Sequence, residues 1–154
     1  MPVFAVADVG WGMKNGVSLL ETLLALVLLG LLSSAAAPAL GGLRDRYAVQ
    51  AVAADIAGAH TRARIRAVLE GIVTELEVRA DSLIVRVNSS PPATVWSAPG
   101  PLGAGVTLAS PPRILVFAPT GVTMGFANAT FRVTRGGAQR QVVVSRLGRV
   151  RVIP

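Results

Sequence analysis

The chain has 154 residues, 52% of them hydrophobic but only 5% aromatic, and a net charge of +7. That length allows one modest domain plus an apolar appendage, with a core built from small aliphatic side chains rather than rings. There is no cysteine, which excludes a disulfide framework and a thiolate metal site.

Met1 to Gly16 is short and glycine-dotted, with Lys14 as its one basic residue. Val17 to Leu43 then carries Glu21 as its only charge. At about 1.5 Å rise per residue, the first 20 or so residues of this run would cross a bilayer core of about 30 Å. A charge at a helix centre in a membrane costs roughly 2.5–3.5 kcal/mol. Glu21 sits near the start of the run, where the cost is smaller, but a plain anchor has no use for it. The alternative is a simple signal-anchor, or a cleaved secretory signal with Ala35-Ala36-Ala37 as its small-residue cleavage site, with an accidental glutamate in either case.

From Leu43 to about Leu69 the pattern predicts an amphipathic helix. Leu43, Tyr47, Ala51, Ala54, Gly58 and Ile65 fall near one stripe, with Arg44, Arg46, Asp55, Arg62 and Arg66 largely elsewhere. Pro38 and Gly41-Gly42 would bend the chain between the two stretches without ending the helix. The expected object is one long helix, apolar first and amphipathic second, closed by Gly71 as a C-terminal cap.

The remainder reads as strands. Ile72–Arg79 and Leu83–Val87 flank Ala80-Asp81-Ser82 as a hairpin, and Asn88–Gly105 reads as a Pro/Gly/Ser-rich loop holding Trp96. Arg113–Phe117 is a short strand stopped by Pro119-Thr120-Gly121. Ala129–Arg135 and Gln139–Ser145 flank Gly136-Gly137 as a second hairpin, and Arg149–Ile153 is a final strand. The fold class is α+β: a long N-terminal helix, membrane-spanning in its first half, packed on an antiparallel, sandwich-like β head. The segments are 1–16, 17–43, 44–70 and 71–154.

Charge is distributed unevenly along these segments. Val17 to Asp81 holds six arginines and seven acids, whereas Ser82 to Pro154 holds eight arginines and no acid. Such asymmetry suggests a polyanionic partner. A GC-rich genome would favour Arg over Lys, but it would not remove the carboxylates.

Gly16-Val17-Ser18-Leu19-Leu20-Glu21 resembles the processing site of type IV pilin-like proteins. The resemblance implies cleavage after Gly16 by a membrane-embedded prepilin peptidase, with N-methylation of Val17, although family members often begin with Phe. Pro38 also stands where many pilins carry a proline. Cleavage would leave an ammonium group at Val17, one helical turn from Glu21. In a bundle of such helices, Glu21 of one subunit can pair with the terminal amine of its neighbour. That pairing would offset the desolvation of both charges and set axial register.

Arg113-Ile-Leu-Val-Phe-Ala-Pro-Thr-Gly121, followed by Val142-Val-Val-Ser-Arg-Leu-Gly-Arg-Val-Arg151, is similar to the GspH/FimT group of minor pilins and pseudopilins. The resemblance implies other pilins or pseudopilins as partners and an inner-membrane subunit with its head in the periplasm, later carried into a pilus or pseudopilus. Two functions separate within the group. One branch serves type II secretion as a minor pseudopilin with no DNA role. FimT-like members bind DNA in natural transformation through a Gly-Arg-x-Arg tail, which Gly148-Arg149-Val150-Arg151 matches. On a strand Arg149 and Arg151 share a face, roughly 7 Å apart, and can engage successive phosphates of double-stranded DNA. Arg135, Arg140 and Arg146 lie nearby in sequence and would extend the patch. The bland alternative is that an arginine-edged terminal strand discourages edge pairing.

Trp96, Phe126 and Phe131 are the few candidate stacking platforms, with Phe131 assigned to the core, which favours phosphate contact over base stacking. His60 has no partner at metal or triad spacing and reads as a surface or packing residue. Glu70, Glu75 and Glu77 read as solvated. Asn88-Ser-Ser90 and Asn128-Ala-Thr130 are chance sequon matches. No cofactor or metal site is expected, and the chain reads as the substrate of an enzyme rather than as one.

Overall fold

The structure, a computed structural model, describes residues 16–125 and 128–154, and within 35–39 the backbone alone. The leader segment 1–15, with Lys14, and the candidate ring of Phe126 lie outside the described residues. The chain divides into two units, Met1–Pro38 and Ala39–Pro154.

One helix, α1 (Leu19–Glu70), runs for 52 residues, through Pro38 and the Gly41-Gly42 pair without a break in its assignment. It opens on Ser18, whose Oγ accepts a hydrogen bond from the Glu21 N–H at 3.2 Å. Ser18 with Glu21 three residues on is the residue pair of a capping box. It closes at Gly71, which has φ +65°, and the Ile72 N–H donates to the Ala67 carbonyl at 3.2 Å. That is the C-terminal glycine cap expected from the sequence.

In the first unit every described side chain from Val17 to Ser34 is exposed. Among the described residues, no helix is long and apolar enough to cross a membrane.

The second unit packs the C-terminal half of α1 against two antiparallel sheets. The strands are β1 (Thr74–Val78), β2 (Ser82–Val87), β3 (Ala93–Pro99), β4 (Thr107–Leu108), β5 (Arg113–Phe117), β6 (Thr123–Met124), β7 (Ala129–Arg135), β8 (Ala138–Val144) and β9 (Val150–Ile153). One sheet has the order β3-β2-β1-β5-β6 and the other β4-β7-β8-β9. Period-two alternation sends Leu76 and Val78, Leu83 and Val85, Phe131 and Val133, and Val142 and Val144 into one core. From the helix that core receives Val49, Val52, Ala53, Ile56, Ala59, Ala63 and Ala67. Ala59, Ala63 and Ala67, at four-residue steps, let the helix axis approach the sheets closely. The Thr74 hydroxyl, buried, donates to the Ala63 carbonyl at 2.8 Å and ties the first strand to the helix.

Three expectations need correction. The helix buries a different stripe from the one read in the sequence: Leu43, Tyr47, Ala51, Ala54, Gly58 and Ile65 are not in the core, and Tyr47 is 73% exposed. Alanine fits either face, so Val49, Val52 and Ile56 decide the matter, and they lie on the other side. The Asn88–Gly105 segment is not all loop, because Ala93–Pro99 forms β3. This is an edge strand, paired with β2 alone, and an edge position tolerates its terminal proline. Glu77 is not solvated but buried between Arg79 and Arg86. Of the two readings of His60, surface or packing, the structure gives packing: it is only 1% exposed. Both predicted hairpins form, and Phe131 is fully buried as expected.

Candidate functional site

Two regions carry the residues singled out by sequence. At the N-terminus, Gly16, Val17 and Ser18 precede the helix and are exposed, so the Gly16–Val17 peptide bond lies outside regular structure. Glu21 falls in the first helical turn. A carboxylate there is favoured by the helix dipole, worth about 0.3–1 kcal/mol in exposed settings. Local capping therefore accounts for an acid at this position.

The second region is the turn and strand at the C-terminal end. Arg146, Leu147 and Arg149 are exposed on a tight turn, and Gly148 between them is buried. The turn closes through Ser145, whose N–H donates to the Arg149 carbonyl at 2.9 Å while its Oγ accepts from the Arg149 N–H at 3.2 Å. Arg151 follows on β9, opposite Val143 of β8, while Val150 and Val152 turn toward the core. Arg149 thus sits at the mouth of the strand rather than within it, yet both guanidiniums reach solvent. They flank an apolar trough of about 470 Å³ floored by Val143, Leu147 and Ile153.

Gly148 has a structural task that the sequence did not disclose. Its φ is +69°, and a Cβ added there would lie 2.5 Å from the Gly121 carbonyl oxygen and 3.1 Å from Arg64 Nε. Arg64, from α1, donates to that same Gly121 carbonyl at 3.0 Å. Thr123 Oγ1 donates to the Arg146 carbonyl at 2.9 Å. The Pro-Thr-Gly turn and the Gly-Arg-x-Arg turn, remote in sequence, are therefore one latch closed by Arg64. The glycine sets the shape of the turn and the arginines are left free to face outward.

The other arginines do not join them. Arg135 pairs with Asp45 of the helix at 2.9 Å and donates to the Ala104 carbonyl at 2.7 Å. Arg140 Nε donates to Gln50 Oε1 of the helix at 3.0 Å. Both clamp the second hairpin to α1, and the sequence expectation that they extend the patch meets side chains already engaged. Trp96 is half-buried with Arg62 over its ring, 5.4 Å from the centroid, so that ring face is occupied.

Beside the latch, a cavity of about 480 Å³ is lined by His60, Arg64, Ile65, Val68, Gly148 and Arg149, among others. His60 packs edge-on against Phe117, with ring centroids 5.0 Å apart, and neither ring nitrogen has a hydrogen-bond partner among the described residues. Burial, reinforced by the Arg64 charge, lowers its pKa to about 4, so the ring is neutral at pH 7. For Glu77, burial alone would raise the pKa. Hydrogen bonds from Arg79 and Arg86 outweigh burial and hold it below the ordinary carboxylate value.

A protein-family model described as "Type II transport protein GspH" matches residues 48–148, well over half of the chain. The chain belongs to the GspH family. Its fold is similar to that of the type IV minor pilin FimU from Pseudomonas aeruginosa. One crystal form is 21% identical with a TM-score of 0.61, covering 71% of this chain and 90% of that one. A second crystal form gives 19% identity and a TM-score of 0.55, covering 68% and 92%. No match was found among curated proteins. The matched GspH region contains both halves of the latch up to Gly148 and ends just before Arg149 and Arg151.

Proposed function

We propose that this GspH-family chain is a minor pilin or pseudopilin subunit, cut between Gly16 and Val17 by a prepilin peptidase and N-methylated at Val17. Before assembly its single apolar helix holds it in the inner membrane with the head in the periplasm. It is then drawn into a pilus or pseudopilus beside other pilins. One observation carries this reading: Glu21 stands in the first helical turn, four residues after Val17, at the head of an apolar run that leads into a GspH head. Membrane placement is supported by the sequence, in which Glu21 is the only charge between Val17 and Leu43. The carboxylate pairs with the terminal ammonium of a neighbouring subunit, which is why its desolvation is tolerated.

The test is incorporation. In cells expressing Glu21→Gln, the mature chain should reach the membrane in normal amount yet drop out of the sheared-appendage fraction. Normal incorporation of that variant would contradict the pairing. Running the same assay in strains lacking either type IV pili or type II secretion assigns the chain to one machine.

A second reading concerns DNA, and the acid-free C-terminal half favours it. We infer that the exposed pair Arg149 and Arg151 captures double-stranded DNA through its phosphates during natural transformation. Arg146 on the same turn supports the patch, while Asp45 and Gln50 hold Arg135 and Arg140 out of it. Replacing Arg149 and Arg151 together with Ala should weaken binding equally across sequences and reduce the salt slope by roughly two. Unchanged binding would leave the subunit reading alone, as in a secretion pseudopilin.

A further inference from the structure

The tail arginines share their face of the protein with a third cation that no motif marks. In the four-stranded sheet, Arg151 lies opposite Val143, which lies opposite Thr130. One step along, Ile153 lies opposite Gln141, which lies opposite Arg132. Directly paired residues project to the same side of a sheet. Thr130, Arg132, Gln141, Val143, Arg151 and Ile153 therefore form one outer face, opposite the buried Phe131 and Val142.

Arg132 is exposed, and among the described residues its guanidinium makes no hydrogen bond or ion pair. Only its backbone is engaged: the N–H donates to Ser110 Oγ at 3.1 Å and the carbonyl accepts from the Ala109 N–H at 2.8 Å. Arg135 and Arg140 have the opposite parity and turn to the helix, where Asp45 and Gln50 hold them. No carboxylate side chain occurs in any strand of this sheet, so its strands present no acidic group to repel a polyanion.

We propose that Arg132 is a third phosphate contact, so that the duplex lies across the outer face of this sheet from the Arg149–Arg151 end to β7. This rests on the DNA reading above. Two strand spacings and two residue steps put the Arg132 and Arg151 backbones about 12 Å apart. Side chains at that separation reach different phosphates, and Thr130 and Gln141 between them supply neutral hydrogen-bonding groups. Arg140, with similar sequence proximity to the tail but on the wrong face, makes no contact.

The experiment uses the full chain in detergent micelles and a labelled random-sequence DNA duplex, titrated by anisotropy at several salt concentrations. Arg132→Ala should weaken binding about 3- to 10-fold at low salt and lower the salt slope by about 0.9, the value for one phosphate contact. Arg132→Lys should retain most of the affinity, and Arg140→Ala should change neither quantity. If Arg149→Ala/Arg151→Ala loses binding while Arg132→Ala binds as wild type, the Arg132 contact is refuted and the DNA reading stands. An Arg140→Ala loss equal to that of Arg132→Ala would also overturn it, because charge count and not position would then govern. Wild-type binding by the Arg149/Arg151 double variant would remove the DNA reading, and the Arg132 contact with it.

Discussion

Gly148 shows how a single position serves both fold and site. A side chain there meets a positive φ and the Gly121 carbonyl at once. Gly148→Ala should lower unfolding free energy by about 2–3 kcal/mol in a denaturant titration. Gly137→Ala, where the added Cβ has open space, should stay within about 0.5 kcal/mol. His60 makes a pH-dependent statement at the same scale. Its folded pKa of about 4 lies below the unfolded value, so the unfolded chain binds more protons between those limits. Stability is complete above about pH 6.5 and is lost as pH falls toward 4, by an amount on the order of 3 kcal/mol. No carboxylate lines the cavity beside the ring to soften this loss. Glu77 adds its own loss only at lower pH, as its carboxylate is protonated and releases Arg79 and Arg86. The melting temperature of wild type should therefore fall relative to that of His60→Leu as the pH falls from 6.5 to 4. A constant offset across that window would contradict the assignment.

At the scale of elements, α1 turns one face to the sheets and leaves another uncovered. The uncovered face carries Leu43, Tyr47 and Ile65, the residues whose spacing stands out in the sequence. The periodicity was real, but it marked the wrong partner. The core-facing stripe is rich in alanine, which hydrophobic patterning hardly distinguishes from a surface, whereas large side chains stand out wherever they are. Tyr47→Asp should leave the melting temperature of the protein almost unchanged and reduce its recovery with other pilins in a crosslinking pull-down. A large loss of stability would place Tyr47 in the core instead. Strand legibility followed similar logic. Arg113–Phe117 and the Gly136-Gly137 hairpin were readable because turn residues bracket alternating or apolar runs. β3 was hidden because Pro91, Pro92 and Pro99 around Thr94-Val95-Trp96 read as loop. The arginine patch was half legible: Arg149 and Arg151 were marked by a motif, but only strand register separates Arg132 from Arg135 and Arg140.

For the whole molecule, the acids and the arginines do different jobs in different halves. Asp45 and Glu77 hold arginines within the fold and Glu70 pairs with Arg66 on the helix surface, whereas in the C-terminal half Arg132, Arg149 and Arg151 have no acid partner among the described residues. The latch joining Gly121, Gly148 and Arg64 fixes the tail turn to the helix that bears Glu21 near its other end. Assembly and any polyanion binding would thus be carried by one chain through separate surfaces, and each can be removed without the other. The assembly reading depends on the chain being cut to expose Val17. The direct measurement is intact-mass and N-terminal peptide mass spectrometry of the protein from membranes of its native host. A chain beginning with N-methylated Val17 is the expected result. A chain beginning at Met1, or cut near Ala37, would contradict the account.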